Sequence, residues 1–372
     1  MAGIITASIA LVAAVGALVA TPAVIRLCLT RGWVIQPGGR RKHQGAMPTI
    51  GGIAMYAAFV VAIGVAWLAG FFVPELQRDA RDTLRLGLLL VGATLTFVVM
   101  WIDDVVELHW LPKFITNVIA GLIAVGPFLW EQTLAADATG ALTQANGIVF
   151  LGFNIPYGAY VDFYALSPWL AIVVTVFWLG WMVNTVNWMD GVDGLAAGVS
   201  GIAGVMLGIH ALRLDPAQYT VAVVPLALAG AAAGFVWYNF PPAKIFMGDA
   251  GAEFLGYVLG VSAIMGGAKL ATVLLVLGVW ILDVAWLIVS RIAAGRSPTH
   301  SGRDHLHQRL TDAGFSPTHI ALYFYGLSMV FGALGIADIG STGKLWALLA
   351  LLVVGVATIG YAMRIKPRPP TA

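Results

Sequence analysis

Long apolar runs separated by short polar breaks set the pattern of this chain, and little period-two alternation appears within the runs. A helix of about 20 mostly apolar residues spans the hydrocarbon of a bilayer. Such runs lie at 4–25, 51–73, 83–102, 114–130, 167–187, 194–212, 219–238, 251–266, 269–291, 318–337 and 344–363, which predicts about eleven transmembrane helices. Backbone in hydrocarbon must pair all its polar groups, so only helices or closed barrels cross it. Barrel strands would alternate over about ten residues. The expected fold class is therefore an all-α polytopic integral membrane protein. The run 251–266 is short and 194–212 is rich in Gly and Ala, a composition that suits close helix–helix packing. No internal repeat of the transporter kind stands out, and residues 1–372 read as a single transmembrane domain.

Composition agrees with the pattern. Hydrophobic residues make up 60% of the chain and charged residues 10%, against about 25% charged in soluble domains; mean hydropathy is +0.89. The net charge of +2 gives no case for a nucleic-acid partner. A single cysteine, Cys28, excludes an internal disulfide and any cysteine-only metal site. The distribution of Lys and Arg sets orientation. With the N-terminus outside, fourteen fall in inner segments and six in outer ones, the run Arg78–Arg85 being the one dissenting loop. Ala20-Thr21-Pro22-Ala23 resembles a cleavage site. No basic residue precedes it, however, and Arg26 and Arg31 follow, so the first run reads as a retained helix. Residues 131–166 form an extracytoplasmic insertion without Lys or Arg. Within it, 147–163 mixes β-branched and aromatic residues around Pro156-Tyr157-Gly158, which predicts a small extracytoplasmic β-hairpin.

Carboxylates next to spans are costly and call for a reason. Asp103 and Asp104 end the third span, Asp190 and Asp193 follow the fifth, and Asp249 opens the eighth. Under the proposed orientation all lie at the inner face. One such acid alone would be as well explained by helix capping or by pairing with Lys113. Five of them, with Asn184 and Asn187 beside them, point to a site. Adjacent carboxylates repel unless a cation or proton lies between them, and Mg²⁺ suits oxygen ligands shared with phosphates. Gly248-Asp249-Ala250-Gly251 leads into a helix, so its N–H groups are candidates for facing a phosphate. The inner loop 292–317 adds Arg303, His305 and His307, and the first inner loop adds Arg40, Arg41, Lys42 and His43. Taken alone, each basic loop is ordinary positive-inside charge. His305 and His307 would point apart on one helix, so either the segment is not helical there or only one enters the site.

These segments, in order, resemble the motifs of the polyprenyl-phosphate N-acetylhexosamine-1-phosphate transferases, of glycosyltransferase family 4 type. GGRRKHQGAMPTIGG is similar to the first cytoplasmic loop of that family, and WIDDVVELHWLPK to its paired-aspartate motif. NTVNWMDGVDGLAAG resembles its most specific signature, PPAKIFMGDAG its second Asp motif, and RSPTHSGRDHLHQRL its histidine loop. The resemblance covers nearly the whole chain. It implies transfer of an N-acetylhexosamine 1-phosphate, GlcNAc-1-phosphate foremost, from a UDP-sugar to polyprenyl phosphate. UMP is released, Mg²⁺ is the cofactor with Mn²⁺ as a substitute, and the product initiates a cell-envelope polysaccharide of lipopolysaccharide or teichoic-acid type. It also implies a multi-pass protein of the plasma membrane with a cytoplasmic active site; a homodimer is compatible with it. By the same resemblance Asp249 is a Mg²⁺ ligand with Asn187 beside it, and Asp103 is a base, a positioning acid or a metal neighbour. Asp104, Asp190, Asp193, His305 and His307 belong to the catalytic set. Lys42, His43, Lys113, Asn184, Asn187, Phe246 and Arg303 belong to the substrate-binding set, with Phe246 near uracil. Gln36, Ala252 and Gln308 depart from common family residues, which leaves the roles in the first and histidine loops less defined. The form RDHLHQRL is closer to the UDP-GlcNAc branch than to phospho-MurNAc-pentapeptide transferase, which is the alternative within the family. From other classes, a cation-coupled transporter would place its acids mid-membrane on broken helices, and an intramembrane aspartyl protease would face its acids together within spans.

Overall fold

Every apolar run predicted from the sequence coincides with a helix in the computed structural model, which describes residues 2–36, 45–136, 142–154, 160–265, 270–295 and 305–365. The helices are α1 (Ala2–Arg31), α2 (Gly52–Ala69), α3 (Ala80–Val106), α4 (Trp110–Val125), α7 (Pro168–Met189), α8 (Leu195–Leu212) and α9 (Tyr219–Asn239). They continue with α10 (Gly248–Ile264), α11 (Leu270–Ala293), α13 (Pro317–Ile336) and α14 (Gly340–Arg364). Three short helices, α5 (Phe128–Glu131), α6 (Phe163–Leu166) and α12 (Leu306–Asp312), lie between them. Among the described residues nine helices are long and apolar enough to cross a membrane; α4 and α10, at 16 and 17 residues, are shorter. The chain is an all-α polytopic membrane protein.

Helix ends follow local chemistry. Helix α1 runs past the predicted end to Arg31 and stops where Gly32 takes φ +73°. Asp79 caps α3 by accepting from the Asp82 N–H at 2.6 Å, supplying an acceptor to one of the orphan donors of the first turn. Helix α4 begins four residues before the predicted run and ends at Gly126, with Pro127 behind it. Ser316 caps α13 and Pro317 occupies its first turn, where a missing N–H costs nothing.

Packing is graded from outside to centre. Helix α1 exposes Ile4, Leu11, Val15 and Val19, a lipid-facing stripe, whereas α10 is buried from Ala250 to Ile264 and packs against α2, α3, α7 and α8. Lipid is as apolar as a leucine side chain, so close van der Waals packing drives helix association. Gly256 provides it. A Cβ there would lie 2.7 Å from the Cα of Val183 on α7.

Short strand pairs occupy the connections. β1 (Val34–Ile35) pairs antiparallel with β2 (Met47–Pro48). Within the predicted insertion, β3 (Leu134–Ala136) pairs with β4 (Leu142–Ala145), and β5 (Gly152–Asn154) with β6 (Tyr160–Asp162). The Pro156–Gly158 turn lies outside the described residues. Two of the three dissenting arginines are accounted for here. Arg85 donates through Nε to the Gly147 carbonyl at 3.0 Å and through a terminal nitrogen to the Ala145 carbonyl at 2.9 Å. Arg78 donates to the Thr220 carbonyl at 2.6 Å. These side chains clamp backbone, so their sign reports packing rather than orientation.

Candidate functional site

The α3–α4 turn builds the first wall. Glu107 takes a left-handed conformation (φ 52°) and ends α3, and its N–H donates to the Asp103 carbonyl at 2.8 Å. The chain then reverses into α4, which carries Lys113 back toward the acids. Asp103 is buried. Its Oδ1 accepts from the Leu108 N–H at 2.7 Å, and its Oδ2 is in an ion pair with the Lys113 ammonium. The same ammonium is 3.1 Å from Asp249 Oδ2. One cation therefore bridges two carboxylates from different helices.

Asp104 points elsewhere, as neighbours about 100° apart on a helix must. Its two oxygens accept from the Asp249 N–H at 2.8 Å and the Ala250 N–H at 3.1 Å. It thereby caps α10 from another helix, placing negative charge on the positive end of the dipole. This corrects the expectation that these N–H groups face a phosphate, because Asp104 already holds them. Gly248 (φ +76°) permits the approach; a Cβ there would lie 2.5 Å from both Asp104 Oδ2 and the Thr49 carbonyl.

The second wall is the turn after α7. Asp190 ends that helix, and its N–H donates to the Asn187 carbonyl at 3.1 Å. Burial, then the charges of Asp249, Asp104 and Asp193, push the Asp190 carboxyl up to about 8. Asp193 accepts from the Ala243 N–H at 3.0 Å. Asn239, buried at the end of α9, accepts from the Gly194 N–H at 3.0 Å and donates to the Ile245 carbonyl at 2.9 Å. It joins the 190–195 turn to the 240–246 loop. Asn239 was absent from the predicted set, although an Asn closing an apolar run just before Pro241-Pro242 was a signal for it.

The histidine loop divides its two imidazoles. His305 precedes the first turn of α12 in extended conformation, and His307 lies within it; their rings stack at 5.6 Å. His307 is buried beside Gly191 and reaches the cavity, with burial first and His305 second holding its imidazole down to about 3. His305 turns to Trp188 and lies 3.9 Å from Asp283. Only one of the pair enters the site.

Together these walls enclose a cavity of about 1330 Å³. Asp103, Asp104, Asp190, Asp193 and Asp249 all line it, as do Lys113, Phe246 and His307. Asn184, Asn187 and His305 do not. Asn184 is exposed and donates to the Gly180 carbonyl at 2.7 Å, and Asn187 donates to Glu253 Oε1 at 3.5 Å. Asn187 thus lies off the cavity wall, with its amide nitrogen turned to Glu253, one turn beyond Asp249. Lys42, His43 and Arg303 lie outside the described residues. Among the described residues no three His, Cys, Asp or Glu side chains converge as a ready-made metal cage. The donors nonetheless fit a hard divalent ion. Mg²⁺ is commonly bound by one or two carboxylates and completed by phosphates and water, and Asp103 and Asp249 already share one cation.

Comparison with known proteins finds relatives of this sequence. Residues 86–267 match Glycosyl transferase family 4. The chain is 30% identical over 377 residues to a decaprenyl-phosphate N-acetylglucosaminephosphotransferase of Mycobacterium tuberculosis (strain CDC 1551 / Oshkosh), covering 95% of this chain and 88% of the relative. It is 29% identical over 343 residues to a probable undecaprenyl-phosphate N-acetylglucosaminyl 1-phosphate transferase of Bacillus subtilis (strain 168), covering 91% and 85%. A phospho-N-acetylmuramoyl-pentapeptide-transferase of Desulforudis audaxviator (strain MP104C) is 31% identical over 341 residues, covering 88% and 96%.

Proposed function

This chain belongs to glycosyl transferase family 4 and is a glycosyl-1-phosphate transferase, and on that premise we propose that it moves GlcNAc-1-phosphate from UDP-GlcNAc to polyprenyl phosphate. The observation that carries the reading is the Lys113 ammonium shared by Asp103 and Asp249 on the wall of a cavity lined by five aspartates. A phosphate oxygen of the lipid attacks the β-phosphorus of the nucleotide sugar. The bond from that phosphorus to the bridging oxygen breaks, and UMP leaves with the electron pair.

Two anions meet in this step, so charge must be neutralised and attack aligned. Lys113 supplies a fixed positive charge between the acids, and Asp104 holds the start of α10 and hence Asp249 in place. Phe246, on the cavity wall, offers a ring face for the uracil. Bound Mg²⁺ would be held by Asp249 and Asp103 and would supply further neutralisation of the phosphates. A phosphate monoester is already largely dianionic near neutral pH, with its second pKa near about 6. Positioning of the acceptor is therefore the larger task for Asp103.

The cavity is assigned to the cytoplasmic face of the plasma membrane, which gives access to a soluble nucleotide donor, and the product begins a cell-envelope polysaccharide. In a Cys28→Ala chain, a cysteine at the exposed Glu107 should react with an impermeant thiol reagent only after the inner face is opened, and one at Tyr160 should react from outside; the reverse pattern inverts the assignment. The activity is tested with purified protein, Mg²⁺, polyprenyl phosphate and a panel of UDP-sugars, scoring UMP release. UDP-GlcNAc is expected to turn over fastest. A preference for UDP-MurNAc-pentapeptide would move the chain to the other branch of the family.

A further inference from the structure

One turn beneath the charged wall lies a second polar layer that the reaction does not use directly. Glu253 is only 4% exposed, inside α10, one turn after Asp249. Its Oε1 accepts from Asn187 Nδ2 of α7 at 3.5 Å. The Asn117 side chain of α4 faces the same carboxyl, whose Oε2 is buried without a hydrogen-bond partner among the described residues. The spacings repeat on all three helices. Asn117 is four residues beyond Lys113, Glu253 four beyond Asp249, and Asn187 three before Asp190. Side chains three or four apart share a helix face. Three of the helices that bring a charged group to the cavity, α4, α7 and α10, thus carry one member of the deeper layer on the same face.

An acid buried within a membrane helix is costly. We infer that Glu253 is a positioning residue, whose hydrogen bond to Asn187 and polar contact with Asn117 fix the register of α4, α7 and α10 and so hold Lys113, Asp249 and Asp190 in their working geometry. The physical need is specific to lipid. Apolar faces surrounded by hydrocarbon discriminate poorly between neighbouring registers, whereas a buried polar contact selects one. A slip of one turn moves a side chain by about 5.4 Å, enough to part Lys113 from Asp249, which are 3.1 Å apart. Glutamine would serve the same purpose. It keeps an acceptor for Asn187 and adds a donor for Asn117 Oδ1, which is buried without a hydrogen-bond partner among the described residues.

The inference rests on the transferase reading, and the test separates the two. Glu253→Gln, Glu253→Leu and wild type are compared for kcat, for KM of the nucleotide sugar, and for melting temperature in detergent. Glu253→Gln should stay within about twofold of wild type in kcat, while Glu253→Leu should lose about tenfold or more in kcat, since small misplacements of reacting groups are costly. KM should change by less than about twofold. The Leu variant should also melt lower than wild type, because it leaves the buried Asn187 amide without its acceptor, so kcat is compared at a temperature where both proteins are folded. Register is read without turnover by spin labels at the exposed Ile115 of α4 and Phe177 of α7, in a Cys28→Ala chain. Their distance distribution should stay narrow with Gln and shift or broaden with Leu. A fully active Glu253→Leu with an unchanged distance overturns the role of Glu253 alone, and so does a Gln variant as impaired as Leu. Absence of UMP from wild type with every UDP-sugar fails the transferase reading, and the distance measurement then still decides the register claim. If Glu253→Leu does not assemble, Asn117→Leu carries the same expectations for kcat and distance.

Discussion

Two ends of the same helix treat charge in opposite ways. At its start, α3 places Arg85 against the Ala145 and Gly147 carbonyls, and Asp82 against the Thr220 hydroxyl at 2.9 Å. At its finish, Asp103 shares the Lys113 ammonium with Asp249 from another helix, on the wall of an open cavity. At the first end the partners are backbone and a hydroxyl, local to the fold. At the second, several like charges converge on one space, and two of them share one ammonium. The contrast separates packing from chemistry better than charge alone. A charge bound to carbonyls serves the fold, and a cluster of like charges facing a cavity serves a ligand.

The largest expected effect tests the second end. Asp249→Asn should lower kcat by about a thousandfold, because it removes charge where phosphates must be held, while the protein still assembles in the membrane. Turnover near wild type at saturating Mg²⁺ would remove Asp249 from the metal assignment. Asp103→Asn should cost roughly a hundredfold. Rate–pH profiles distinguish its roles. A positioning acid leaves the loss constant between about pH 6 and 9, whereas a base is rescued as the acceptor ionises by itself. A constant loss is expected, and a profile that rises to wild type would show proton removal instead.

The first end should behave differently. Arg85→Leu strips two carbonyls of their donor and should cost about 1–3 kcal/mol of stability, read as a lower melting temperature, with kcat within about twofold once folded. A large loss of kcat without loss of stability would break the contrast. The smallest effects are on pH dependence. His307 is held neutral by burial, so the folded state binds fewer protons than the unfolded one between about pH 3 and 6.5. Its contribution is present above about pH 6.5 and is lost as pH falls through that window. Asp190 has the opposite sign. With its carboxyl raised to about 8, stability from this group is lost as pH rises from about 4 to 8. Each slope is at most about 1.4 kcal/mol per pH unit. Melting scans of His307→Gln should lose the slope between about pH 3 and 6.5, and those of Asp190→Asn the opposite slope between about pH 4 and 8.

Hydropathy made the helices legible because a bilayer forces each span to be a long, self-satisfied apolar segment, and that constraint is local in sequence. The acids were legible for the same reason, since charge beside hydrocarbon is conspicuous. Divergence of Asp103 and Asp104 also followed from helical geometry alone. What remained hidden depended on which helices became neighbours. No spacing revealed that Asp104 would take the N–H groups of α10 from across the bundle, that His305 would turn to Asp283 while His307 faced the cavity, or that Asn187 would meet Glu253 instead of Asp249. Glu253 was hidden by its place inside an apolar run. By itself the sequence determined the class, the spans and the group of acids near one set of helix ends, because each follows from the cost of exposing polar groups to lipid. Only the tertiary structure decided which acid binds which donor, because a hydrogen bond reaches about 3 Å and partners 136 to 146 residues apart meet only once the helices have packed.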